Sequence, residues 1–192
     1  MVKKIFYINS EMEPFASVSN LANLSVEIPL GLQEKGNDVR CLMPKYGFIS
    51  ERKYILREVI RLKEILFDFD DLSYDCSAKS AFLPKSRLQV YFLENKEQFD
   101  DLNNLLFKSK NGRFLPDNDK RFAIYSLAAI KMLPNLFWFP NIIVCNGWTS
   151  ALVPYILKKL AKSNKELSKI KTIYITNSVS YTHLTLPTMI RV

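Results

Sequence analysis

The chain has 192 residues, 48% of them hydrophobic, enough for one full core, and this length argues for a single domain. Charged residues make up an ordinary 24%, yet 27 basic against 19 acidic residues leave a net +8. Much of that excess is local: Lys158, Lys159, Lys162, Lys165, Lys169 and Lys171 stand against only Glu166. No aromatic residues interleave with them as single-strand nucleic-acid binding requires, so a solvated helix side is favoured over an anion-binding face. Cys41, Cys76 and Cys145 are far apart and odd in number, and read as buried free thiols of a reducing compartment. No metal-ligand spacing, membrane-length apolar run or basic-then-apolar leader is present. The expectation is a cytoplasmic protein with no metal, membrane or nucleic-acid partner.

In chain order, "KKIFYI" reads as a buried strand. Leu21, Leu24, Ile28 and Leu32 then recur at helical spacing, with Ser19 or Asn20 as cap and Gly36 as stop. Pro29 inside that pattern should kink or split the helix. "DVRCLMP" is a second strand, and strand, helix and strand together have the size of a βαβ unit. "KYILREVIRLKEI" suits helix or strand; its β-branched residues and the following "LFDFDD" favour strand. "RLQVYFL" (87–93) is a clearer strand, followed by a polar surface excursion with a short helix. Asp117 or Asn118 should cap a helix through "KRFAIYSLAAIKML". "NIIVC" is a buried strand, "TSALVPYILKKLAKS" a helix that Thr149 can cap, and "KTIYIT" the last strand. This alternation predicts an α/β fold: a Rossmann-like parallel sheet with helices on both faces.

His183 is the only histidine, and it lies in "SYTHLTLPTMIRV", a stretch with no acidic residue and no clear period. Residues 179–192 therefore read as a tail foreign to a domain spanning 1–178. That domain has no histidine, which removes serine–histidine, cysteine–histidine and histidine-ligated metal chemistry.

Several stretches together carry a resemblance. "SEMEPFA" follows the first strand as S-E-x-x-P-F-A, and "KGNDVRCLMPKYG" fits K-G-H-D-V-R-x-x-M-P-x-Y-G. "VYFLENKEQFD", "DNDKRFAIYSLAAI", "PNIIVCNGWTSALVPYILK" and "KTIYIT" follow in the same order and spacing. From residue 3 to about residue 178 the chain resembles the N-terminal half of bacterial glycogen synthases and plant starch synthases. These are retaining glycosyltransferases of GT-B architecture that extend α-1,4-glucan from ADP-glucose. The resemblance implies ADP-glucose and α-1,4-glucan as ligands, no cofactor beyond the donor substrate, and a C-terminal GT-B half that this chain lacks.

The loop after the first strand departs from the family. Where relatives carry K-T-G-G-L-A-D, this chain has Ser17, Val18, Ser19, Asn20, Leu21, Ala22 and Asn23. The family lysine would face the donor diphosphate, and the glycines would let backbone N–H groups approach it. The family aspartate before tryptophan is Gly147, and the histidine set against the transferred sugar is Asn177, so no catalytic residue is assigned. The resemblance carries substrate-binding roles to Glu11, Ser17, Ser19, Asn20, Asn23, Phe99, Asp100, Asn118, Arg121, Asn146 and Trp148.

Each role has a plainer reading. Glu11 can cap a helix, and Arg121 can pair with Asp117 at i, i+4. Phe99 and Asp100 can be ordinary loop packing, Trp148 can fill a gap between helix and sheet, and Tyr46 packs structurally. Three functions stay open: half of a glucan-extending enzyme, inactive alone; a non-catalytic glucan-binding or regulatory paralogue keeping only the fold; or an unrelated Rossmann-like domain.

Overall fold

The computed structural model describes residues 2–102 and 104–176. The expected tail and Asn177 lie outside the described residues. Strand β1 (Lys4–Ile8) leads into α1 (Leu21–Glu34) and β2 (Asp38–Pro44). A short α2 (Glu51–Tyr54), β3 (Arg57–Glu58), β4 (Ile65–Phe69) and β5 (Leu72–Phe82) come next, then β6 (Gln89–Glu94). The second half holds α3 (Asn118–Leu136), β7 (Ile142–Asn146), α4 (Val153–Leu160), α5 (Lys165–Ser168) and β8 (Lys171–Ile175).

The sheet order is β3-β5-β6-β2-β1-β7-β8, with β4 paired to β5. The five strands from β6 to β8 are parallel, as the helix–strand alternation predicts. The sheet as a whole is mixed, because β5 runs antiparallel to β6 and carries β3 and β4 antiparallel to itself. That extension is what the middle of the sequence becomes. The "KYILREVIRLKEI" stretch is not one strand: it ends α2, supplies β3, makes a tight turn at Ile60–Leu62 and starts β4. β5 has no apolar run to announce it. It buries Tyr74, Cys76, Ala78 and Ala81, mostly at alternate positions, so its inward face is built largely from small residues.

The direction in which successive strands are added across the sheet reverses within the parallel part. β1 steps to β2 through α1, whereas β6 steps across the sheet to β7 through α3, and β7 to β8 through α4 and α5. Right-handed crossovers place α1 on one face and α3 with α4 on the other; α3 and α4 pack against each other. The carboxyl ends of β1 and β7 thus flank a topological switch point, where α/β sheets bind ligands.

Local details correct the sequence reading. α1 runs unbroken through the buried Pro29, so the proline does not split it. Neither Asn20 nor Asp117, each at a helix N-cap, makes a side-chain capping bond. Residues 148–150 form a separate tight turn ahead of α4, and the Thr149 hydroxyl caps nothing. The core is apolar and continuous, with Phe6, Tyr7, Ile8, Leu42, Met43, Phe92 and Ile143 closed to solvent on the central strands. Gly47 is required by close approach: a Cβ there would fall on the carbonyl of Asp100.

Candidate functional site

β1 and β7 lie side by side with Ile8 opposite Cys145, which brings Asn9 and Asn146 level at their carboxyl ends. Asn146 is buried and donates from Nδ2 to the Tyr7 hydroxyl and, at 3.3 Å, to Ser25 Oγ on α1. Burial pushes the Tyr7 hydroxyl well above its ordinary pKa, so it stays neutral here. Both side-chain polar atoms of Asn9, with Ser10 Oγ and Thr149 Oγ1, are buried without a protein partner. Buried groups of this kind are satisfied by water or ligand. The switch point therefore has a polar interior, and sequence reasoning missed Asn9, Ser10 and Thr149 as part of it. The signal was weak: three small polar residues just past two strand ends.

The loop between β1 and α1 closes on Glu11. Its Oε2 accepts from the backbone N–H groups of Val18 (2.8 Å) and Ser19 (2.9 Å), and its Oε1 accepts from Ser19 Oγ (2.7 Å). Glu11 is 1% exposed. The carboxylate thus holds the loop at the entry to α1. Ser17 is exposed and donates to Glu13 Oε2 at 3.2 Å, while Asn20 and Asn23 are exposed at the start of α1. Asn20 has right-handed helical backbone angles (φ −60°, ψ −15°), so its present conformation does not call for glycine.

The remaining expected residues divide. Phe99 is fully buried, edge-on to Tyr46 and Tyr125, so it belongs to the core. Arg121, also buried, donates to Gln98 O (2.8 Å), Asn118 Oδ1 (2.7 Å) and Asp117 Oδ2 (2.6 Å). Asn118 in turn donates to Phe107 O at 2.8 Å. Together they clamp the 96–107 connection to the start of α3. Asp100 is exposed on a recess of about 350 Å³ beside the β2 and β6 ends. Charges there are largely paired: Glu51 bridges Lys45 (3.4 Å) and Lys79 (2.8 Å), and Lys79 reaches Glu94 (3.1 Å). The Lys79 hydrogen bond holds the Glu51 carboxyl below its usual range. Trp148, half-buried, is wedged edge-on among Phe107, Phe114 and Phe122 at 5.1–5.9 Å. Glu11, Asn146 and Trp148 thus belong to the switch-point side, and Asp100 to a separate recess. No group of metal-ligating side chains occurs among the described residues. The lysines of the 158–171 stretch are all exposed, and Lys169 pairs with Glu166 at 2.6 Å.

The fold matches the catalytic domain of starch synthase IV from Arabidopsis thaliana bound to ADP and acarbose. The TM-score is 0.78 at 23% identity, over 92% of this chain and 34% of that one. The architecture is therefore that of a Rossmann-like domain of a GT-B glycosyltransferase. The starch synthase catalytic domain family matches residues 4–188, and the chain belongs to it. It is 35% identical over 176 residues to the glycogen synthase of Chlorobium limicola and 33% identical to that of Pelodictyon phaeoclathratiforme. Each alignment covers 92% of this chain and 36% of the relative, so the chain spans about a third of the length of these relatives. No helix among the described residues is long and apolar enough to cross a membrane.

Proposed function

We propose that this chain is the N-terminal portion of a cytoplasmic glucosyltransferase that extends α-1,4-glucan from ADP-glucose, acting with a second GT-B half. The observation that carries the reading is the family match over residues 4–188, on a fold whose switch point has a polar, buried lining. In this reading the loop 17–23 and the Asn146–Trp148 turn face the donor, and α-1,4-glucan is the acceptor. Residues 1–192 assayed by themselves should transfer no glucose, because Ser17 brings no charge to a departing diphosphate.

A titration of ADP-glucose followed by NMR tests the reading. Resonances of the 11–23 loop and of 146–148 should shift at millimolar ligand. The Ser17→Lys, Ser19→Gly, Asn20→Gly triple variant should bind more tightly, since it adds a cation and removes two side chains beside a helix start. Parent and variant binding equally well would show that the loop does not depend on the family lysine and glycines. No shift in either segment with either protein would count against a donor site here.

Glu11 already occupies the N–H groups of Val18 and Ser19, and this favours a second reading, a non-catalytic glucan-binding or regulatory paralogue. A chimera carrying the remainder of the Chlorobium limicola enzyme separates the two. Incorporation of radiolabelled glucose supports the first; a folded, glucan-binding but inactive chimera supports the second.

A further inference from the structure

Phe137 closes α3 in the left-handed region, at φ 51° and ψ 33°, where glycine is the usual residue. A bulky side chain there costs backbone strain, and strain of this kind collects at sites that do work. The ring is 78% exposed, with the Arg61 guanidinium 5.2 Å from its centroid. This knob stands beside a hole. Between the end of α3 and the start of β4 lies a groove of about 380 Å³, lined by Glu64, Ile65, Leu66, Lys131, Pro134 and Asn135. Pro134 O accepts from the Phe137 N–H at 3.0 Å, so the knob follows directly on one wall of the groove. Asn135 Nδ2 donates to Glu64 O at 3.3 Å and ties that wall to the other. Leu66, 65% exposed, adds apolar surface to the lining. Lys131 stands on the α3 wall and Glu64 on the β4 wall. The Glu64 carboxylate makes no ion pair among the described residues.

We propose that this patch joins two copies of the chain in a twofold dimer: Phe137 of each copy enters the groove of the other, and the Arg61 beside it meets Glu64 of the second copy. In a twofold contact one patch both gives and receives. A knob with its own hole next to it meets that condition in shape. A guanidinium carried on the knob and an unpaired carboxylate in the hole meet it in charge. A foreign partner would have to match both features, whereas a second copy matches them by symmetry. A contact built on one aromatic knob per copy belongs to the small, transient class of interfaces, so the dimer is reversible and forms as concentration rises. It lies away from the switch point and needs no donor or glucan.

Sedimentation velocity of the 192-residue chain, from about 1 µM to about 1 mM in about 0.15 M salt, reads the association directly. The sedimentation coefficient should rise from that of a monomer to that of a dimer and stop there. Phe137→Gly should weaken the dimer at least about tenfold, the worth of one central aromatic anchor. Its Tm should be no lower than the parent's, because glycine fits the left-handed position, so loss of the dimer is not loss of the fold. Arg61→Glu and Glu64→Arg should each weaken association about tenfold by setting like charges face to face. Combined, they should restore it to within about threefold of the parent, since each charge again meets its opposite. A parent that stays monomeric throughout overturns the proposal. So does a dimer that Phe137→Gly leaves unchanged, or a pair of charge reversals that fails to rescue. Growth beyond the dimer, which a twofold contact does not give, overturns it as well.

Discussion

Ser19 is tied to Glu11 twice, by its backbone N–H at 2.9 Å and its hydroxyl at 2.7 Å, although the two are eight residues apart. A buried carboxylate with three donors fixes the loop before α1 as firmly as a cap on the helix would. Glu11→Ala would leave the Val18 and Ser19 N–H groups without their acceptor. The expected loss is about 2–3 kcal/mol, or roughly 4–12 °C in Tm for a chain of this size. Thermal unfolding checks it. Glu11→Gln, which keeps one acceptor, should lose less.

Gly47→Ala should be among the most damaging single-methyl changes in the molecule. The added carbon falls on the Asp100 carbonyl, a backbone atom that no rotamer change can move aside. A loss of about 3 kcal/mol is expected, the upper end of overpacking costs. Urea unfolding midpoints of the two proteins measure it, and a change below about 1 kcal/mol would mean that the 96–100 turn gives way easily.

Arg121→Lys keeps the charge and loses the fork. Three bonds, to Gln98 O, Asn118 Oδ1 and Asp117 Oδ2, converge on one guanidinium that an ammonium cannot reproduce. The expected cost is about 2 kcal/mol. Hydrogen exchange should rise first in residues 96–107, which the clamp holds. Uniform acceleration across the chain would mean that the arginine acts on the whole fold and not on this connection.

Alkaline pH should destabilise the protein before any thiol reacts. Burial pushes the Cys76 thiol from an ordinary 9.0 up to about 11 and Cys145 up to about 12. Above pH 9 the unfolded chain releases these protons and the folded chain keeps them, so the unfolded state binds fewer protons and stability falls as pH rises. The contribution is complete below pH 9 and is lost between 9 and 11 for Cys76, and up to 12 for Cys145. Tm should decline across that window, and a thiol reagent at pH 8 should label the three buried cysteines only on unfolding. Fast labelling of the folded protein would contradict the burial.

The sequence by itself determined the parallel core. The segments "KIFYI", "DVRCLMP", "IIVCN" and "KTIYI" are apolar or β-branched runs bounded by polar or turn residues, and α3 is long and periodic, so local pattern suffices to place them. The shared order of motifs likewise showed the family. Tertiary structure alone decided the antiparallel β3–β5 extension, because β5 buries mainly small residues at alternate positions and so carries no apolar run to mark it. It also decided what the site residues do. Glu11, Arg121 and Phe99 read as ligand contacts or as scaffold with equal ease from a string of letters. The structure shows each of them buried and held by partners from distant segments, contacts that no local pattern announces. Phe114, by sequence one more phenylalanine in a polar loop, is stacked on Phe107 while remaining 62% exposed. Strand formation is a local property of the chain; which face of a side chain meets solvent is set by everything packed around it.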